Sequence, residues 1–227
     1  MKKLILVLSA ILLIGTINNS YAQKAFEGTI TYGIEYEDLP EEMEAMRAML
    51  PTETTIKIKG SKTRTEQSMG MGSTISIFDG KTNSSVTLMD MMGQKIAIPT
   101  SSEELEKEES KNEGEGEVLD IEYFDETKEI AGYTCKKAAI KVKGTDEQII
   151  VYYTEEINTQ QTRSQYKGLK GFPMTYEINI PEMSMIMTVT SVKKEKISSS
   201  EFEIPEGYEE MSMEDFEKKM SGGMMGE

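Results

Sequence analysis

Histidine and tryptophan are absent from the 227 residues, and cysteine occurs once. Without histidine there is no Ser-His-Asp or Cys-His relay, no histidine zinc site and no side chain that ordinarily changes charge near neutral pH. Without tryptophan the commonest sugar-stacking platform is missing. The lone Cys135 cannot form an intrachain disulfide. Its neighbours Lys136 and Lys137 would favour a reactive thiolate. The alternation around it instead suits a small apolar residue buried in a strand, and that reading is preferred.

Basic residues are scarce as well, 25 Lys and Arg against 40 Asp and Glu, for a net charge of −15. Such a surface repels nucleic acid and anionic membrane faces, where binding depends on lysine and arginine against phosphate. The carboxylates could supply a glycosidase pair, but placement in space rather than abundance makes one. The chain is read as non-enzymatic, with no cofactor and no metal centre.

Only one long apolar run occurs. Met1-Lys2-Lys3 precedes an apolar stretch over residues 4–14, followed by Ser20-Tyr21-Ala22 with small residues three and one before a cut. The stretch is shorter than the roughly 20 residues a span requires, and no cysteine follows it to form a lipobox. Residues 1–22 therefore read as a Sec signal cleaved after Ala22. Export to the periplasm or beyond is expected, with residues 23–220 as one β-rich domain and 221–227 as a disordered tail.

What remains is dominated by period-2 alternation. Phe26, Ile30, Tyr32, Ile34 and Tyr36 share one face, and Glu27, Thr29, Thr31, Glu35 and Glu37 the other. Similar segments cover 54–59, 63–68, 73–78, 82–89, 94–99, 118–124, 134–143, 148–154, 174–180 and 183–193. Gly60-Ser61, Asp79-Gly80 and the residues 90–93 mark turns between them. Residues 41–50, opened by Pro40 and closed by Pro51, predict a helix with a Met43/Met46/Leu50 stripe. Ser212 with Asp215 predicts a capping box and a helix to Met220. Residues 101–117, rich in glutamate, read as a solvated, mobile connector within the domain rather than a calcium or partner loop.

Methionine is abundant, 18 in all, and clustered: Met69 and Met71, Met91-Met92, Met183/Met185/Met187, Met211 and Met213, Met224-Met225. Closely spaced thioethers suit Cu(I). Methionine also lines adaptable apolar surfaces, and Met183, Met185, Met187 and Val189 read as the apolar face of a strand.

The residues Ile130-Ala-Gly-Tyr-Thr-Cys135-Lys-Lys-Ala138, Val151-Tyr-Tyr-Thr154, Gly168-Leu-Lys-Gly-Phe-Pro173 and Tyr176-Glu177 resemble two related groups of exported proteins. These are the GLPGLI family, matched loosely by 168–173, and the domain-of-unknown-function 4412 family. To the latter the runs 185–191 and 202–208 are also similar. The resemblance covers residues 130–208. It implies a fold similar to the LolA-type lipoprotein carriers: a curved antiparallel sheet, an open half-barrel, wrapped over a few short helices, with an apolar ligand on the concave face.

The leading expectation is thus a monomeric exported module, not membrane-spanning, that binds an apolar, lipid-like ligand or a lipid-bearing envelope partner. Its cavity is expected to be lined by Met43, Met46, Leu50, Met183, Met185, Met187 and Val189. The alternatives are an envelope structural or interaction protein with no ligand, and a methionine-rich Cu(I)-binding protein.

Overall fold

The alternation resolves into twelve strands in the computed structural model, which describes residues 25–111, 118–142, 148–159, 166, 168–180 and 183–223. The expected signal, residues 1–22, and Met224-Met225 lie outside the described residues. In chain order come β1 (Glu27–Asp38), α1 (Glu41–Glu44), β2 (Glu53–Lys59), β3 (Lys62–Met69), β4 (Gly72–Asp79), β5 (Ser84–Met91), β6 (Gln94–Thr100) and α2 (Ser102–Lys111). They are followed by β7 (Val118–Ile130), β8 (Tyr133–Val142), β9 (Gln148–Thr154), β10 (Phe172–Ile180), β11 (Met183–Lys194), β12 (Glu209–Glu210) and α3 (Met213–Gly223).

All twelve strands form one sheet in the order β12-β6-β5-β4-β3-β2-β1-β11-β10-β9-β8-β7. Neighbours run antiparallel except β12, which adds to β6 in parallel. The long closure is β1 against β11, which joins the two halves of the chain through pairs such as Ile34 with Met187 and Tyr32 with Val189. The sheet is curved and unclosed, with only short helices added to it, the open half-barrel that the resemblance implies.

Tight turns set the register. At Ala131-Gly132 and Met92-Gly93 both residues have positive φ, 50° and 81°, then 53° and 84°. That is the backbone of a type I′ hairpin, whose twist matches the flanking strands.

The expected helix over residues 41–50 is not continuous. One α-turn, α1, is followed by a 3-10 turn over Arg47–Met49, and neither buries a residue. Without a packed face, so short a segment cannot offset the cost of helix nucleation. The acidic stretch differs from expectation in the opposite sense. Residues 102–111 form α2, because Ser101 and Glu104 make a capping box: the Ser101 N–H and hydroxyl both donate to Glu104 Oε2, at 2.8 and 2.6 Å. Leu105 then anchors the helix, 7% exposed. Residues 112–117 lie outside the described residues. The predicted capping box at Ser212 and Asp215 opens α3, with the Asp215 N–H donating to Ser212 Oγ at 3.1 Å.

One cluster, built on Ile30, Tyr32, Ile34, Ile58, Phe172, Met174, Met187 and Val189, spans the β1–β11 seam. A second, on Ala138, Ile140, Val151, Tyr153 and Tyr166, underlies β8 and β9. A third lies on the opposite face of the first half, where Ile197 and Phe202 cover Ile77, Leu88 and Ala97. The segment carrying Ile197 and Phe202 is fastened by Arg64, which donates from Nη1 to the Glu201 carbonyl at 2.9 Å, and by Lys57, 2.9 Å from the Glu201 carboxylate.

Candidate functional site

A cavity of about 880 Å³ opens on the face of β1–β5 that carries Tyr32 and Ile56. Its floor follows the pairing register. Ile56 lies opposite Thr65, and Thr65 opposite Ser76, making one row across β2, β3 and β4. Thr63 lies opposite Phe78, and Phe78 opposite Ser85, making a second row across β3, β4 and β5. Directly paired residues point to the same side of a sheet, so each row offers hydroxyls and an apolar group to the same space.

The facing wall comes from the second half of the chain: Ile157, Leu169, Phe172, Pro173 and Tyr176, with Leu105 of α2 at the side. Ile157 and Phe172 are buried, so this wall is fixed by the core behind it. Tyr32 donates its hydroxyl to the Pro173 carbonyl at 2.6 Å and packs edge-on against Tyr176 at 5.8 Å between centroids. Tyr166 meets Tyr176 edge-on at 5.7 Å. Gly171 is required here, because a Cβ at that position would lie 2.4 Å from the Thr154 carbonyl oxygen.

Polar groups rim the opening. Glu155 pairs with Lys136 at 3.0 Å, and Lys170 stands 4.2 Å above the Tyr123 ring. Burial pushes the phenols of Tyr32, Tyr166 and Tyr176 up, the last to about 12, so all three are neutral hydrogen-bonding groups at ordinary pH. Among the described residues, the hydroxyls of Thr63, Thr65, Ser76, Ser85 and Tyr176 have no protein partner.

None of the seven residues expected to line a cavity lines this one. Met187 and Val189 are buried in the seam cluster, and Met185 packs against it half-buried. Met183 is half-buried at the end of β11, paired with Ile180. Met43 and Leu50 are half-buried, while Met46 is 50% exposed. Yet two cavity residues are cross-strand partners of this set: Tyr32 of Val189, and Tyr176 of Met187. Met187 and Val189 therefore share the cavity's side of the sheet. The cavity itself lies farther across the sheet, over strands whose polar-looking Thr and Ser residues give no apolar signal in sequence.

Cys135 is fully buried, as its alternation suggested, and its thiol donates to the Tyr133 carbonyl at 3.3 Å. Burial, then the Glu129 charge, pushes the thiol up to about 11. Among the described residues no cluster of three or more His, Cys, Asp or Glu could hold a metal, and no helix is long and apolar enough to cross a membrane.

No family model matches the chain, and no curated protein matches it, so the family resemblance rests on the residues between 130 and 208 alone. Solved structures are similar in fold. PNGF-II aligns with a TM-score of 0.50 at 15% identity over 87% of this chain, which spans about a third of that protein (33%). The Mycobacterium tuberculosis lipoprotein LppX aligns with a TM-score of 0.40 at 9% identity, covering 76% of this chain and 89% of that one. LprF from Mycobacterium bovis aligns at 0.36 and 10%, covering 78% and 90%.

Proposed function

We propose that this chain is an exported, non-enzymatic binding module that holds an amphiphile, a long acyl or alkyl chain with an oxygen-bearing head, in the 880 Å³ cavity. The observation that carries the reading is the mixture on its floor. Ile56 and Phe78 alternate with hydroxyls that have no protein partner, opposite a wall of Ile157, Leu169 and Phe172. Thr63, Thr65 and Ser85 are half-buried there, and each unpaired polar group costs free energy once a ligand excludes water. A ligand that brings both methylenes and oxygens satisfies both kinds of surface.

The volume falls within the range of small-molecule sites. Each buried methylene contributes about 0.8 kcal/mol, so a chain of ten or so supplies useful affinity without an ion pair. The β11 methionine face is the yielding support behind the wall. Met183, Met185 and Met187 repack readily, and Tyr176 and Tyr32 are the cross-strand partners of Met187 and Val189. Met43, Met46 and Leu50 stand near the end of β1 where Tyr36 pairs with Met185 and donates to the Pro51 carbonyl at 2.9 Å. There they would give way to a longer chain.

The test is displacement of a fluorescent fatty acid from delipidated protein, together with native mass spectrometry of protein taken from its own envelope. Saturable binding that Phe78→Glu abolishes, with circular dichroism unchanged, is the expected result. Neither probe binding nor added mass would leave the ligand-free structural or interaction protein as the correct reading.

A further inference from the structure

At the far end of the sheet, away from the cavity, three separate segments bring methionines together. The β3–β4 turn supplies Met69 and Met71, the β5–β6 turn supplies Met91 and Met92, and the 3-10 turn after α1 supplies Met49. All five are exposed, from 36% at Met49 to 87% at Met92.

The backbone holds these segments against one another. Met92 N–H donates to the Met71 carbonyl at 3.4 Å, and Gly70 N–H to the Met49 carbonyl at 3.1 Å. Gly72 pairs with both Met69 and Met91, so those two side chains flank a residue without one, on the same side of the sheet. Gly72 is needed for this approach and Gly70 eases it. A Cβ at Gly70 would lie 3.1 Å from Met49 Cα, and one at Gly72 would lie 2.1 Å from the Asp90 carbonyl oxygen.

Met92 itself has φ 53°, the first position of a type I′ turn, where asparagine, aspartate or glycine is the ordinary choice. A flexible apolar side chain at a strained and solvent-exposed position has neither a conformational nor a packing reason to be there. Ala131 takes nearly the same φ at the same position of the Ala131-Gly132 turn, so what sets Met92 apart is its thioether, 87% exposed.

We infer that Met49, Met69, Met71, Met91 and Met92 form a thioether site for a soft monovalent cation, Cu(I) in chemical class. Thioether sulfur is a soft, neutral ligand that selects Cu(I) over hard cations. Competing imidazole and thiolate donors are lacking: the chain has no histidine, and Cys135 is buried. The net charge of −15 draws cations toward the surface. Five donors on three mobile side-chain sets exceed the three or four that Cu(I) requires. Met69, Met71, Met91 and Met92 lie on β3–β6 and their turns, three or more strands from β11, whose Met183, Met185 and Met187 are buried in the seam cluster or half-buried beside it.

The full chain is titrated anaerobically with Cu(I) against a chromophoric competitor, and in parallel with Ag(I), which is redox-inert. Methionine methyl signals are followed by NMR. The expected result is one tightly held ion per chain, with methyl shifts confined to the two turns and Met49. The triple variant Met71→Leu, Met91→Leu, Met92→Leu should weaken binding at least tenfold, whereas Met183→Leu with Met185→Leu should leave it unchanged. A sulfur-only first shell in X-ray absorption is also expected. No binding, or methyl shifts centred on Met183, Met185 and Met187, would overturn the assignment even if the triple variant failed to fold.

Discussion

The Tyr32 hydroxyl donates to the Pro173 carbonyl at 2.6 Å, joining residues 141 apart in the chain. This bond ties β1, at the seam between the two halves, to the start of β10, beside the irregularity between Pro173 and Thr175. The same ring contacts Phe172 and Tyr176, so one side chain sets the position of the cavity wall relative to its floor.

Tyr32→Phe should therefore keep the fold and lose about 1 kcal/mol, the net contribution of a buried hydrogen bond whose acceptor is left unpaired. Urea unfolding checks this. A loss under a few tenths would mean that ring packing alone holds the wall.

The second latch is electrostatic. Glu66 accepts from Arg64 at 2.6 Å and from Lys57 at 2.8 Å. Burial raises its carboxyl, but the hydrogen bonds from Lys57 and Arg64 outweigh that and hold it below the ordinary 4.5. A folded value lower than the unfolded one gives stability that is present above pH 4.5 and lost as pH falls through the folded value. Glu66→Gln should lower stability at pH 7 and flatten the acid limb of the stability curve. Because Glu66 is partly exposed, added salt should shrink the difference. An acid limb equally steep in Glu66→Gln would assign it to other carboxylates.

For Cys135 the sign runs the other way. Its thiol stays protonated to about 11 rather than 9.0, so at a given pH the folded protein carries about a hundredth of the thiolate of the unfolded chain. Native protein should react slowly with a disulfide reagent at pH 8, and urea-unfolded protein rapidly. Stability from this group is complete below pH 9 and lost as pH rises toward 11, because the unfolded state releases its proton first. Several buried tyrosines titrate nearby, so the comparison is with Cys135→Ala, whose alkaline limb should be shallower.

The strands were legible because alternation is a local property. Ile30, Tyr32 and Ile34 declare their face without reference to any partner. The hairpins were legible for the same reason, as Gly93 at the second turn position of Met92-Gly93 shows. The cavity was not, since even Ser85 of its floor and Ile157 of its wall are 72 residues apart and its floor is half threonine and serine. A Thr63 reads as solvent-facing in sequence, and only the wall of Ile157, Leu169 and Phe172 makes its side of the sheet a cavity floor. Leu105 was hidden differently, a single apolar residue among glutamates. One docked side chain and a capping box make that segment a helix. The Met43/Met46/Leu50 stripe failed as a helix in the reverse sense, having the right spacing and nothing to pack against.

The last prediction tests what the floor hydroxyls do. Thr65 and Ser76 are directly paired, and neither hydroxyl has a protein partner among the described residues. The double variant Thr65→Val, Ser76→Ala removes both while keeping the strand shape. Without ligand, it should be about as stable as the parent, because Ser76 is exposed and Thr65 half-buried, so both hydroxyls reach water in the open site. Binding should then divide by ligand chemistry. A monoacylglycerol should lose roughly tenfold in affinity, the equivalent of about 1.4 kcal/mol over two weak hydrogen bonds. An alkyl probe with no oxygen should bind as well or better, since its chain no longer displaces water from hydroxyls. Equal weakening of both probes would mean that the hydroxyls act only through the shape of the sheet. No change in either would place the oxygen-bearing head elsewhere, at the Lys170 and Glu155 rim.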